Sequence, residues 1–268
     1  MRVAVLVVLA GLAGGTAGAW ESEERVRPDL DRGSLVSLQV SVEGRDMPLY
    51  ASADGRYYVE ARKGAAYELQ ITNRSGQRVG VELTVDGLNV ISGERDRPGP
   101  DRMYVLGPWD NTSIRGWRSS LDEVRTFTFV DEKASYSARA GKANGKMGWI
   151  EMAVYREHVR VPPPPPVQTY GDRESRNEKD EAPRAAGRAA EAPAAAPDAA
   201  YPGTGWGDPL RDRVRLVDFE PERGPAQQMT LRYEYRAALV ALGILPKHHS
   251  RLEERERGEG GFAKPPRW

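Results

Sequence analysis

The sequence contains no cysteine among its 268 residues. Without a thiol, the chain has no disulfide, no thiolate nucleophile and no cysteine ligand for zinc. It also lacks the N-terminal cysteine through which a bacterial lipoprotein is anchored. Exported animal domains more often carry disulfides, so export of this cysteine-free chain would favour a bacterial periplasmic or secreted protein.

Histidine is nearly as scarce, since the chain holds only His158, His248 and His249. No serine lies in a GxSxG elbow, and the adjacent histidines have no third donor at metal-ligand spacing. The sequence therefore disfavours a Ser-His-Asp enzyme and predicts no metal site and no cofactor. The glycine-rich stretch 203–207 follows no strand and opens no helix, so we interpret it as a loop that packs Trp206, not as a phosphate cradle.

An excess of either charge is also absent, because Lys+Arg and Asp+Glu both number 39. A balanced chain has no general attraction for a polyanion. The sequence therefore predicts no nucleic-acid partner.

Long apolar runs are missing except at the N-terminus, where Arg2 precedes an apolar core from Val3 to Leu12. Ala17-Gly18-Ala19 matches the small-x-small rule of a signal peptidase site, which predicts a signal peptide over residues 1–19, cleaved before Trp20. The alternative is a transmembrane anchor, but the run is short and glycine-interrupted. We therefore expect an exported protein, periplasmic or extracellular, with no stable transmembrane anchor after cleavage.

Strand signals fill residues 34–158, after a flexible leader at residues 20–33. In RVGVELTVDGLNVISG (Arg78 to Gly93), the apolar residues from Val79 to Val85 alternate with glycine or polar residues, which is typical of a half-buried strand. Asp86-Gly87 then favours a type I′ hairpin turn. Eight or nine such strands separated by turn residues predict a mainly β fold, specifically an antiparallel β-sandwich.

The composition changes after residue 158. Residues 159–200 are rich in proline, alanine and charge, and predict a disordered linker, within which the run Pro162 to Pro166 forms a semi-rigid spacer. Residues 201–246 predict a small C-terminal α/β appendage, a β-β-α segment that docks on the sandwich, in the same copy or in another. Residues 247–268 predict a flexible tail.

The stretch GPWDNTSIRGWR places two tryptophans and two arginines around a turn. Exposed Trp and Arg most often anchor interfaces, and aromatic faces bind sugar rings. The candidate binding residues are therefore Trp109, Arg115, Trp117 and Arg118. The alternative is that both indoles fill the core at a corner of the sandwich.

The hairpin VDGLNVISGE, the Gly-Pro-Trp corner, GWR and the strand WIEMAVYRE resemble a group of uncharacterised exported bacterial proteins. The later GTGWG segment with its LRYEY-type strand is similar to the same group. The resemblance covers roughly residues 49–157 and 201–245. It implies that these segments form an intact domain, and it carries no activity and no functional residue to this chain.

We therefore expect a non-enzymatic binding or interaction module whose partner is an envelope protein or a polysaccharide. One alternative is an exported hydrolase that uses paired carboxylates on envelope glycans, for which Asp86, Glu94 and Asp110 are the candidates. Another alternative is a structural envelope spacer. The oligomeric state is not predicted by the sequence.

Overall fold

The structure is a computed structural model, and it describes residues 34–52, 55–95, 102–158 and 201–246, together with the backbone of residues 4–8. The predicted leader, linker and tail, the remainder of the predicted signal peptide, and His248 and His249 lie outside the described residues.

Strands dominate the described residues, as the sequence predicts. In chain order they are β1 (Ala4–Val8), β2 (Val36–Val42), β3 (Arg45–Asp46), β4 (Leu49–Ala51), β5 (Tyr57–Ala61), β6 (Ala66–Asn73), β7 (Val79–Val85), β8 (Leu88–Asn89), β9 (Tyr104–Leu106), β10 (Asn111–Ile114), β11 (Gly116–Arg118), β12 (Glu123–Asp131), β13 (Trp149–Arg156), β14 (Pro202–Arg211), β15 (Val214–Asp218) and β16 (Gln227–Tyr235). The helical elements are a 3₁₀ turn (Glu132–Ala134), α1 (Tyr136–Arg139) and α2 (Arg236–Ala241).

The strands form two sheets, which confirms the prediction of a mainly β, sandwich-like fold. Sheet A has the order β15-β1-β9-β7-β13-β16-β5-β4, with β8 paired to β7. Sheet B has the order β11-β12-β6-β2-β3, with β10 on β6 and β14 on β12. Most neighbours are antiparallel, but β16–β5 and β1–β9 are parallel.

The core lies between the sheets and contains a group of aromatic rings. Tyr67 stacks on Phe129 with ring centroids 4.2 Å apart, and Trp117 meets Phe127 edge-on at 5.4 Å. All four side chains are at most 3% exposed. Burying rings of this size supplies a large share of the apolar area that stabilises a domain without disulfides.

The predicted hairpin turn is present. Asp86 and Gly87 have φ values of 51° and 70°, the two positive angles that a type I′ turn requires. The strand before it, however, is buried on both faces and not half-buried as the alternation indicates. The outward-facing Glu82 is covered because Asn89, on the return strand, lies over it with its amide 3.5 Å from the Glu82 carboxylate.

The C-terminal segment enters both sheets. Strand β14 pairs with β12, and β16 lies between β13 and β5. The predicted glycine loop 203–207 is therefore part of a strand. Its glycines allow close approach, since a Cβ on Gly207 would lie 2.3 Å from the Thr126 hydroxyl. Trp206 stays 44% exposed, and its ring contacts that of Tyr136 at a tilt of 37°, with the ring centroids 4.7 Å apart.

A buried carboxylate fastens this segment to the hairpin. Asp86, which is fully buried, accepts hydrogen bonds from the backbone N–H of Gly148 at 2.9 Å and of Thr204 at 2.7 Å, and from the Tyr233 hydroxyl. The Thr204 hydroxyl also lies 2.9 Å from Tyr233 Oη and 2.7 Å from Tyr67 Oη. We call Asp86, Thr204, Tyr67 and Tyr233 the Asp86 cluster.

Burial controls the ionisation of this cluster. Desolvation raises the pKa of Asp86 from 3.8 to about 6, although its three hydrogen bonds oppose the rise. Burial also raises the pKa of Tyr67 and of Tyr233 well above 10.0. Because the folded pKa of Asp86 exceeds its unfolded value, its contribution to stability is full below about pH 4 and is lost as the pH rises through about 6.

We therefore predict that Asp86→Asn changes both stability and its pH dependence. The amide offers one acceptor oxygen and turns donors toward buried N–H groups, which costs about 1–3 kcal/mol. The wild-type free energy of unfolding should fall by up to about 3 kcal/mol between pH 4 and 7 through this group, and the variant should lack that component. Urea unfolding at each pH measures both quantities.

Asp208→Asn is the matched control, because Asp208 is exposed on β14. If the free energy of unfolding depended on pH in the same way in the wild type and in Asp86→Asn, the assignment of this pH dependence to Asp86 would be wrong.

Candidate functional site

The structure separates the two tryptophans that the sequence groups together. Trp109 is 68% exposed and has a φ of 58°. It lies in a turn in which its backbone N–H donates a hydrogen bond to the Ser75 carbonyl at 3.1 Å. Trp117 is 1% exposed, and its indole N–H donates to the Gly205 carbonyl at 3.1 Å. The core alternative therefore holds for Trp117 and not for Trp109, and the two rings share no surface.

The two arginines of the predicted site bind an acidic residue of the C-terminal segment. Arg115 Nη2 lies 2.9 Å from Asp212 Oδ2, and Arg118 Nη2 lies 2.7 Å from Oδ1. Arg118 also donates to the Asp212 carbonyl at 2.6 Å. The side chains of Arg118 and Asp212 are only 5% and 3% exposed. This ion pair fixes the connection between β14 and β15, so Arg118 has a structural role.

A better candidate for a binding surface is a groove on sheet A. It has a volume of about 520 Å³ and lies where β13, β16 and the start of β5 meet. Aromatic rings, guanidinium groups, an amide and a hydroxyl line it, from Tyr57, Trp149, Arg56, Arg232, Gln228 and Thr230. We call this surface the Trp149 groove.

Strand register explains why these side chains meet. Trp149 pairs with Arg232 across β13 and β16, so both project from the same face of the sheet. The Arg232 guanidinium carbon lies 5.9 Å from the centre of the Trp149 ring, within range of a cation–π interaction.

The groove is lined by a stretch of β16 that has a strand neighbour on one side only, where it pairs with β13. Strand β16 pairs with β5 only from Leu231 onward. On that side, residues 227–230 meet no strand among the described ranges. Gln227 instead turns its side chain to the start of β2, where its oxygen accepts from Leu35 N–H at 2.7 Å and its amide donates to the Val36 carbonyl at 2.7 Å.

Ion pairs set the charge beside the groove. Arg232 contacts Glu234 at 2.8 Å, and Arg236 contacts Glu60 at 3.3 Å. Burial raises the pKa of Glu234, and Arg232 opposes that rise. Glu60 and Glu234 are register partners on adjacent strands, so each arginine offsets the repulsion between two neighbouring carboxylates.

The acidic candidates for hydrolysis are engaged elsewhere. Asp86 is enclosed in its cluster, Glu94 pairs with Lys142 at 2.9 Å, and Asp110 accepts from the Asn111 N–H at 2.9 Å. Each has different partners, and none lines the Trp149 groove. Within the described ranges, no group of three or more His, Asp or Glu side chains is placed to hold a metal ion.

Comparison with models of protein families, with curated proteins and with solved structures finds no match for the chain. The resemblance to uncharacterised exported proteins therefore stays a prediction. The part of the chain that the structure describes contains no helix that is both long enough and apolar enough to cross a bilayer.

Sequence reasoning missed the groove because its residues come from three distant strands. Trp149 and Arg232 each lie in a segment that the sequence predicts to be a strand, at a position where the alternation of residues points the side chain away from the core. This alternation is the one sequence feature that indicates their exposure. Their pairing depends on a register between segments 83 residues apart, which local patterns do not define.

We predict that Arg118→Ala and Arg115→Ala differ strongly in their effect on stability. Removing Arg118 leaves a buried carboxylate with one partner, which should lower the free energy of unfolding by roughly 3–5 kcal/mol. The Arg115 side chain is 39% exposed, so its loss should cost about 1 kcal/mol or less. Urea denaturation measures both. Equal losses for the two variants would contradict the structural role of Arg118.

Proposed function

We propose that the protein is an exported, non-enzymatic binding module that holds a polysaccharide chain of the cell envelope in the Trp149 groove. The observation that carries this proposal is the placement of an indole ring and a guanidinium group beside a stretch of β16 that is paired to β13 on one side and meets no described strand on the other. Export rests on the predicted signal peptide.

The groove chemistry suits a sugar chain. Aromatic faces pack against the apolar faces of sugar rings, and Trp149 is half-buried, which holds its ring in place. Gln228 and Thr230 are exposed on the same strand and offer an amide and a hydroxyl. Such groups can exchange hydrogen bonds with sugar hydroxyls, and so can the backbone groups of residues 227–230 that face away from β13.

The placement of the acidic residues also favours a binding role over hydrolysis. Two carboxylates on facing sides of a cleft are the usual requirement for glycoside cleavage. Glu234 lies next to the groove, but it is 3% exposed and paired with Arg232. A carboxylate held in this way is poorly placed to protonate a glycosidic oxygen in the groove.

The test is sedimentation of the folded protein with purified peptidoglycan sacculi and, separately, with insoluble envelope polysaccharide from the producing cells. We expect the wild type to sediment with one of them. Trp149→Ala should weaken the apparent affinity, measured from the bound fraction at a series of polysaccharide concentrations, about tenfold, since losing one aromatic contact and its buried area costs on the order of 1.5 kcal/mol. Free sugar fragments should compete.

Trp109→Ala is the matched control, because it removes a more exposed indole at another place. Gln228→Ala provides a second groove variant with an exposed side chain, so a folding defect in Trp149→Ala cannot hide the result. Binding that survives both groove variants, or that disappears with Trp109→Ala alone, would overturn the proposal.

A further inference from the structure

The position of β1 creates an unusual dependence within sheet A. Strand β1 lies between β9 and β15, antiparallel to β15 over five residue pairs and parallel to β9 at Leu6 and Tyr104. Among the described residues, β15 has no other strand neighbour. The segment that supplies β1 also belongs to the predicted signal peptide, so cleavage before Trp20 would remove it.

The two strands on either side of β1, β9 and β15, each have contacts that do not involve β1. At the start of β15, the Val214 N–H donates a hydrogen bond to the Leu121 carbonyl at 2.8 Å. At its end, Arg78 donates to the Asp218 carbonyl at 3.1 Å, and Phe219 is buried against Gly80. Strand β9 is paired to β7 on its other side.

Removal of β1 would therefore leave a slot one strand wide. Since neighbouring strands lie about 4.8 Å apart, β9 and β15 would face each other across roughly 10 Å. Unpaired backbone groups would line both sides of this slot, and such edges readily accept another extended chain. We call this position the β9–β15 slot.

The surroundings of the slot define what fits it. On one face, Tyr104 belongs to the main core. On the other face, Met103, Val105 and Phe219 form a separate apolar cluster with Val217 packed against it. A strand with apolar groups on both faces needs a continuous apolar run and not an alternating one.

The long segments of the mature chain that lie outside the described residues offer no such run. Residues 20–33, 159–200 and 247–268 contain no five consecutive residues that are free of charge, proline and glycine. A second copy of the mature chain has the same sequence and the same deficiency. The occupant must therefore come from a different protein.

We propose that the β9–β15 slot of the processed protein binds an extended, continuously apolar segment of a partner protein, which adds a strand to sheet A. The partner strand runs antiparallel to β15 and parallel to β9, as β1 does. Main-chain hydrogen bonds on both sides provide affinity, and the apolar clusters select the sequence. This inference rests on the exported state and is independent of the Trp149 groove.

The experiment uses protein purified after export, with its first residue determined by mass spectrometry. The probe is a fluorescent peptide that contains residues 3–9, VAVLVVL, flanked by lysines. We expect saturable binding by anisotropy. A peptide with Leu6→Pro should bind at least about tenfold more weakly, because proline removes a ladder donor while hydrophobicity is largely kept.

Cross-linking then locates the bound peptide. The chain has no native cysteine, so each introduced thiol is unique. Leu216 is the register partner of Leu6 and is 54% exposed, while Leu242 on the last turn after α2 is 55% exposed and serves as the matched control. A peptide with Leu6→Cys should form a disulfide with Leu216→Cys protein and not with Leu242→Cys protein.

Four results would overturn the proposal. They are an N-terminus that still includes residues 4–8, absence of peptide binding, equal binding of the proline peptide, and equal cross-linking at both cysteines. Trp149→Ala protein should bind the peptide as the wild type does. A failure of the proposed polysaccharide binding in the Trp149 groove can therefore be distinguished from a failure of the proposed strand binding in the β9–β15 slot.

Discussion

The carboxylate of Asp86 is the constraint on which the assembly of the two sheets depends. Its donors come from residues 62, 118 and 147 positions further along the chain, so its burial is tolerable only when the C-terminal segment is in place. Tyr67 extends the network into sheet B through Thr204. The residues before the predicted linker and those after it therefore form one compact unit, and the chain between them joins two parts of a single domain.

Much of this fold could be predicted from local sequence. Period-two alternation identifies most long strands, and Asp86-Gly87 predicts its own hairpin turn. Strand β14 could not be predicted in this way, because GTGWGDP has the composition of a loop. What makes it a strand is the surface of β12, against which only glycine fits at position 207. The parallel pairing of β16 with β5 likewise depends on contacts that no local pattern records.

The candidate site was less predictable than the fold, for a related reason. Trp and Arg in one loop are typical of an interface, but composition does not show whether an acidic partner lies elsewhere in the chain. Asp212 is that partner for Arg115 and Arg118, and it follows them by more than ninety residues. The same limit applies to the groove, where Trp149 and Arg232 become neighbours only through the register of two strands.

Unequal strand lengths connect the fold to both proposed interactions. A sandwich satisfies its backbone groups wherever strands run side by side, and it leaves them available where one neighbour stops short. Strand β16 extends beyond β5 at the groove, and β15 has β1 as its one strand neighbour among the described residues. Available backbone beside fixed apolar side chains favours ligands that are themselves extended chains. The carboxylates of Asp86, Glu94 and Glu234 are held in hydrogen bonds and ion pairs, so they stabilise the frame that positions these backbone groups.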